Sequence, residues 1–147
     1  MSNHSVVRTT SSALKRILLV ENDENNRQLL SDLLSYYGYS ILALAGSSGF
    51  FKAVASFQPH LILLDLKLDG TNGYSLLEEI QHSTEYRNIP VIVISAYAFK
   101  AQIQRAYDLG IRRYIVKPIN ITDLTQAIQE QLYIRGQGDK ETRGQGD

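Results

Sequence analysis

Short apolar runs alternate with segments of helical spacing along most of this chain. Five runs have the length of buried strands and are bounded by polar or turn-forming residues; they begin at Arg16, Ser40, Leu61, Val91 and Arg113. After each run, apolar residues recur at intervals of three and four, which predicts five amphipathic helices. The alternation predicts an α/β fold, in which helices cover both faces of a five-stranded parallel sheet.

The helices are recognised by their apolar residues. In chain order these are Leu29, Leu30, Leu33, Leu34 and Tyr37; Phe50, Phe51, Val54 and Phe57; Leu76, Leu77 and Ile80; Ile103, Ala106 and Tyr107; and Leu124, Ala127, Ile128 and Leu132. Capping residues support the first and the last helix, because Asp23 precedes one and Asn120 the other. Gly38 is predicted to end the first helix.

One domain is predicted, over residues 16–134. Residues 1–15 are polar and rich in Ser and Thr, which predicts a mobile N-terminal arm. Residues 135–147 contain the pentapeptide Arg-Gly-Gln-Gly-Asp twice, and a repeat this short and polar predicts a disordered tail.

Composition narrows the classes of partner. Lys and Arg together number 15, as do Asp and Glu, so the balance offers no basic surface for nucleic acid or membrane. The absence of Cys excludes disulfides and cysteine zinc sites. The first apolar run stops at Glu21, too early for a signal sequence or a membrane span, and we therefore expect a cytoplasmic protein.

Candidate chemistry lies where the strands end. Asp65 closes the Leu61–Asp65 run, Glu21, Asn22 and Asp23 follow the first strand, Ser95 closes the fourth and Lys117 follows the fifth. Parallel strands open their carboxyl ends onto one edge, which is where open α/β sheets bind ligands. Each residue alone has an ordinary explanation as a cap, a strand-end hydroxyl or a solvated lysine, but four such coincidences at one edge are improbable.

Converging acids repel one another unless a cation lies between them. Mg²⁺ suits such a set because it prefers carboxylate, carbonyl and water oxygens. A metal, a lysine and a hydroxyl together stabilise a phosphoryl group, and Asp65 can then act as the nucleophile that forms an acyl phosphate.

These pieces together resemble the receiver domains of two-component response regulators, from about Arg16 to Leu132. The matching segments are Ile-Leu-Leu-Val-Glu-Asn-Asp, Leu-Ile-Leu-Leu-Asp with Asn72-Gly73 downstream, Val-Ile-Val-Ile-Ser-Ala and Tyr-Ile-Val-Lys-Pro. The resemblance implies a flavodoxin-like, doubly wound sheet of order 2-1-3-4-5, the order for which a member of this family is a standard example.

The resemblance also implies residue roles. Asp65 is the phosphoacceptor, Lys117 pairs with the phosphate, Ser95 is the switch hydroxyl and Tyr114 is the aromatic residue that turns inward with it. The implied Mg²⁺ ligands are Glu21, Asn22, Asp65 and the backbone carbonyl of Lys67, with Asp23 as an alternative. The family usually has two adjacent carboxylates after the first strand, whereas this chain has Glu21 and Asn22.

The leading hypothesis is a stand-alone receiver. The resemblance implies that a sensor histidine kinase or a histidine phosphotransfer protein supplies the phosphoryl group. It implies output to a protein target through the face formed by the fourth helix, the fifth strand and the last helix, which also serves a homodimer. No enzymatic activity is expected beyond magnesium-dependent self-phosphorylation and self-dephosphorylation. The alternatives are a phosphate-independent scaffold and a flavodoxin-like or phosphatase-like enzyme; against an enzyme, the chain lacks G-x-x-x-x-G-K-[ST] and G-x-G-x-x-G motifs.

Overall fold

The apolar runs form strands and the periodic segments form helices. The computed structural model describes residues 14–68 and 71–134. The elements are β1 (Arg16–Val20), α1 (Glu24–Tyr36), β2 (Ser40–Leu44), α2 (Phe50–Phe57), β3 (Leu61–Asp65), β4 (Lys67–Leu68), β5 (Thr71–Asn72), α3 (Gly73–Gln81), β6 (Val91–Ser95), α4 (Lys100–Asp108), β7 (Arg113–Val116), α5 (Ile121–Gln129) and a π-helical turn (Glu130–Ile134).

Five of these strands form one parallel sheet in the order β2-β1-β3-β6-β7. Numbered among themselves along the chain, the strands have the predicted order 2-1-3-4-5. All five residues of β3 are buried, since β3 lies at the centre of the sheet and helices cover both of its faces. The predicted α/β architecture is therefore confirmed, and Asp65 lies at the end of its central strand.

Alternate strand residues point to two apolar clusters, one on each face of the sheet. Phe50, Val54, Leu76, Leu77, Ile80 and Ala106 bring α2, α3 and α4 against one face. Leu30, Leu34, Leu124, Ala127 and Ile128 bring α1 and α5 against the other. The strands are held between two layers of helices, which fixes where their carboxyl ends lie.

The predicted caps are present at both helices. Asp23 accepts a hydrogen bond from the backbone N–H of Asn26 at 2.9 Å, and Asn120 accepts one from Asp123 at 3.1 Å. Gly38 follows α1 with φ of 97°, a conformation that favours glycine, and it ends the helix as predicted.

The segment after Asp65 contains two strands that the apolar pattern does not predict: β4 and β5, of two residues each, pair there in antiparallel orientation. One sequence-based expectation needs correction. The apolar stripe of α1 is wider than its buried face, because Leu29 is 57% exposed and Tyr37 is 51% exposed. The predicted arm and tail lie outside the described residues, apart from residues 14 and 15. Within the described ranges, no helix is long and apolar enough to cross a membrane.

Gly73 is where α3 meets the segment that follows Asp65. A Cβ at this position would lie 2.6 Å from the Cα of Leu66 and 2.7 Å from its carbonyl oxygen. Gly73→Ala should therefore destabilise the fold by about 1–3 kcal/mol, although alanine is the better helix former. Gly46→Ala is the matched control, because nothing lies within 4 Å of a Cβ there. Urea unfolding of both variants checks this, and equal midpoints would contradict it.

Candidate functional site

Three charged side chains meet at the carboxyl edge of the sheet. The Lys117 ammonium donates to Glu21 Oε1 and to Asp65 Oδ2, each at 3.0 Å. The Glu21 side chain is fully buried, that of Asp65 is 4% exposed and that of Lys117 is 20% exposed. Two acids, one directly after β1 and one at the end of β3, therefore share one ammonium from the segment after β7. The sequence-based prediction that these strand ends converge is correct for these three residues.

The shared ammonium sets the electrostatics of the site. Burial raises the pKa of the Glu21 carboxyl, and it outweighs the Lys117 hydrogen bond, which acts in the opposite direction. Burial alone would lower the pKa of the Lys117 ammonium, but its hydrogen bonds with Asp65 and Glu21 raise that pKa overall. Lys117 therefore remains charged at neutral pH and is what makes two neighbouring buried carboxylates tolerable.

The backbone after β3 also holds Asp65. The N–H of Lys67 donates to Asp65 Oδ1 at 3.0 Å, while the Lys67 side chain is exposed. Each oxygen of Asp65 therefore accepts one hydrogen bond, Oδ1 from the backbone and Oδ2 from Lys117. The carboxylate is fixed at the mouth of the site.

Ser95 and Tyr114 lie next to this trio. Ser95 is fully buried, and its Oγ accepts from the N–H of Tyr97 at 3.1 Å. The Tyr114 hydroxyl donates to the carbonyl of Tyr97 at 2.8 Å, and its half-buried ring packs against the cluster that contains Ala106. The pKa of the Tyr114 phenol is raised overall. Burial is the main cause and the Asp65 carboxylate adds to it, whereas the hydrogen bond with Ser95 acts in the opposite direction. The ring is thus directed inward, towards the site.

The other predicted residues after β1 have different neighbours. Asn22 is half-buried beside Glu21, whereas Asp23 is exposed and directs its carboxylate to the start of α1. The N–H of Asp23 donates to Glu21 Oε2 at 3.1 Å. The sequence-based reasoning missed Arg27, whose guanidinium donates to the carbonyls of Glu21 at 2.9 Å and Asn22 at 3.4 Å. Its position on the first turns of α1, facing an acidic loop, is the available signal.

An apolar groove opens beside the site. It has a volume of about 520 Å³ and runs between α1 and the segment that leads into α5. Glu21 and Lys117 form part of its wall, and the remaining lining residues are Asn26, Leu29, Leu30, Leu33, Pro118, Ile119 and Ile121. The exposed Leu29 of the α1 stripe therefore borders a groove that reaches the charged trio.

Removing the ammonium should expose its role. Lys117→Met leaves two buried carboxylates without a counter-charge, so we expect the free energy of unfolding at pH 7 to fall by about 3–5 kcal/mol. The deficit should shrink as the pH falls below 7, because loss of the ammonium raises the pKa of the buried Glu21 carboxyl further and the folded variant takes up a proton there. Unfolding at several pH values measures it, with the exposed Lys52→Met as control. A deficit that does not vary with pH would contradict the interpretation.

Comparison with known proteins identifies the family. Residues 17–129 match the family model of the response regulator receiver domain. The polar-differentiation response regulator DivK of Brucella anthropi is 30% identical over 118 residues, which make up 80% of this chain and 96% of that protein.

Solved structures agree with this family match. The CheY-like receiver domain protein of Methanospirillum hungatei superposes with a TM-score of 0.78 at 27% identity, over 86% of this chain and 99% of that one. The Mn²⁺-bound form of the response regulator Rcp1 superposes with a TM-score of 0.68 at 26% identity, over 81% and 95%. The charged trio thus lies in a fold shared with response regulators, and the chain belongs to the receiver domain family of two-component response regulators.

Proposed function

We propose that Asp65 accepts a phosphoryl group from a phosphohistidine and that this modification switches a protein-binding face. The observation that carries the proposal is the bridge from Lys117 to both Asp65 and Glu21, at 3.0 Å each. It holds a carboxylate nucleophile beside a fixed positive charge at the open edge of the sheet. That combination supports phosphoryl transfer, in which positioning and charge stabilisation provide most of the catalysis.

The transfer can be written atom by atom. An oxygen of Asp65 attacks phosphorus as the phosphorus–nitrogen bond of the phosphohistidine breaks, and the leaving imidazole takes up a proton. Lys117 then donates to a phosphoryl oxygen instead of to the free carboxylate, and the hydroxyl of Ser95 supplies a second donor. The acyl phosphate adds a charge of roughly −1.5 to −2.

The residues present fit a magnesium ion. Glu21 and Asp65 share one ammonium, so their oxygens are close enough to face a common cation. Within residues 14–68 and 71–134 no group of three or more acidic or histidine side chains could hold a metal, but Mg²⁺ needs only one or two carboxylates when phosphate and water complete its octahedron. Glu21, Asp65, Asn22 and the Lys67 carbonyl would hold the ion, which would neutralise charge as the phosphoryl group arrives.

The partners follow from this chemistry. Receiver domains act with histidine kinases or phosphotransfer proteins and with downstream targets. We propose that the donor contacts the apolar groove, since Glu21 and Lys117 line it. Output would use the face of α4, β7 and α5, where Phe99, Tyr107 and Val116 are exposed, and a homodimer through that face is part of the same proposal. DivK supports a single-domain regulator, because the match covers nearly all of that protein.

Phosphorylation of Asp65 is tested directly by its amide variant. Incubation with acetyl phosphate and Mg²⁺ should add one phosphoryl group to the wild type and none to Asp65→Asn, because the amide lacks the nucleophilic oxygen. Asp23→Asn is the matched control, since Asp23 lies at the same edge but caps α1, and it should be modified normally. Intact-mass spectrometry gives the result, and a phosphorylated Asp65→Asn protein would show that the acceptor is another residue.

The metal ligands are tested by four proteins. Asn22→Asp should tighten Mg²⁺ on the order of tenfold, because a neutral oxygen becomes a carboxylate. Asp23→Ala should weaken binding less than Glu21→Ala, since the Asp23 carboxylate is directed to Asn26. Calorimetric titration of Mg²⁺ into these variants and the wild type measures the effects. If Asp23→Ala alone abolished binding, the ligand would lie one residue later than proposed.

A further inference from the structure

We propose that Tyr74 forms a second connection between the phosphoacceptor loop and α4, in addition to the one through Ser95 and Tyr114. The inference rests on the proposed function, because it concerns how phosphorylation of Asp65 reaches the output face. Tyr74 acts as a positioning residue, which transmits the position of the loop to the face of α4 that carries Gln102 and Arg105.

One end of this connection is fixed to the loop. Tyr74 is the second residue of α3, directly after Gly73, whose N–H donates to the Leu66 carbonyl at 3.0 Å. Gly73 is pressed so closely against Leu66 that no Cβ fits between them. Since Leu66 follows Asp65, a displacement of Asp65 would be transmitted to the start of α3 through this closely packed backbone.

The other end is fixed to α4. The Tyr74 hydroxyl donates to the Gln102 carbonyl at 2.8 Å, and the guanidinium carbon of Arg105 lies 4.1 Å from the centre of the Tyr74 ring. Gln102 and Arg105 are three residues apart, so they lie on the same face of α4, although Arg105 belongs to its last turn. Tyr74 is itself buried, at 5% exposure, so its hydrogen bond to Gln102 is partly shielded from water.

A different face of α4 is held by β7. The N–H of Tyr114 donates to the Tyr107 hydroxyl at 3.1 Å, which ties α4 to β7. Tyr114 in turn reaches the loop after Ser95 through its bond to the Tyr97 carbonyl. Tyr74 and Tyr114 thus connect two different faces of the helix to the site, each through a separate segment of backbone.

Weak packing makes α4 responsive to such contacts. Ala106 is the single buried residue among the nine of α4, and Phe99 at its N-terminus provides no side-chain cap. Within the described part of the chain, Gln102 Oε1 is buried without a hydrogen-bond partner, so the polar groups of the helix are not fully satisfied in this position. An element with little buried apolar surface is readily shifted by a few contacts.

The test compares the responses of loop and helix to beryllofluoride, a phosphoryl mimic, by backbone amide NMR. In Tyr74→Phe the resonances around Asp65 should shift as in the wild type, with the same midpoint of the beryllofluoride titration. The chemical-shift changes of residues 100–108 should be less than half of those in the wild type. Amide hydrogen exchange in the first half of α4 should also rise about fivefold without beryllofluoride. Tyr86→Phe is the control, since the ring of Tyr86 stacks on Phe51 of α2, and it should change neither readout.

Additional variants separate this proposal from a purely structural role. Arg105→Met, at an exposed position, should reduce the helix response without lowering the urea midpoint, and it decides the matter if Tyr74→Phe does not fold. Two parallel connections predict that Tyr74→Phe combined with Ser95→Ala loses more of the helix response than either change alone. A full response of α4 in Tyr74→Phe and Arg105→Met would overturn the proposal. If the resonances of the loop in the wild type did not shift with beryllofluoride, the proposed function would be refuted instead. The connection would then be tested by hydrogen exchange without beryllofluoride, and an unchanged rate in Tyr74→Phe would refute it.

Discussion

The structure of the site depends on one lysine that lies between two buried carboxylates. Lys117 follows β7, which is separated from β3 by β6, so its long side chain has to pass the end of β6 to reach Asp65 and Glu21. Ser95 ends β6, and a small hydroxyl side chain leaves room for that path. The order of the sheet, the length of lysine and the small size of serine therefore form one constraint.

Much of this arrangement is predictable from the sequence because parallel strands end at a common edge. The buried run before Asp65, the acid after the first run and the lysine after the fifth identify the trio without coordinates. The β4–β5 hairpin is not predictable, since two-residue strands have no periodicity to detect. The contacts of Tyr74 and Arg27 escape prediction for another reason: both depend on where a side chain from one element meets the backbone of another, and hydrophobic periodicity carries no information about that.

The sparse packing of α4 is the feature through which the proposed chemistry would lead to regulation. A helix that buries one of nine residues is held mainly by directional contacts, and its tyrosine contacts lead back to the segments that follow Asp65 and Ser95. Under the proposed function, a modification that adds charge at Asp65 would act on both segments at once. The large apolar side chains exposed near this helix would then provide a surface whose shape depends on the state of the site.

The most direct measurement identifies the modified atom. Borohydride reduces an aspartyl phosphate to homoserine, so treatment of the phosphorylated protein followed by peptide sequencing in a mass spectrometer marks the acceptor. The account predicts homoserine at position 65 and aspartate at position 23. Homoserine at position 23 or at any other carboxylate, with aspartate retained at position 65, would contradict it.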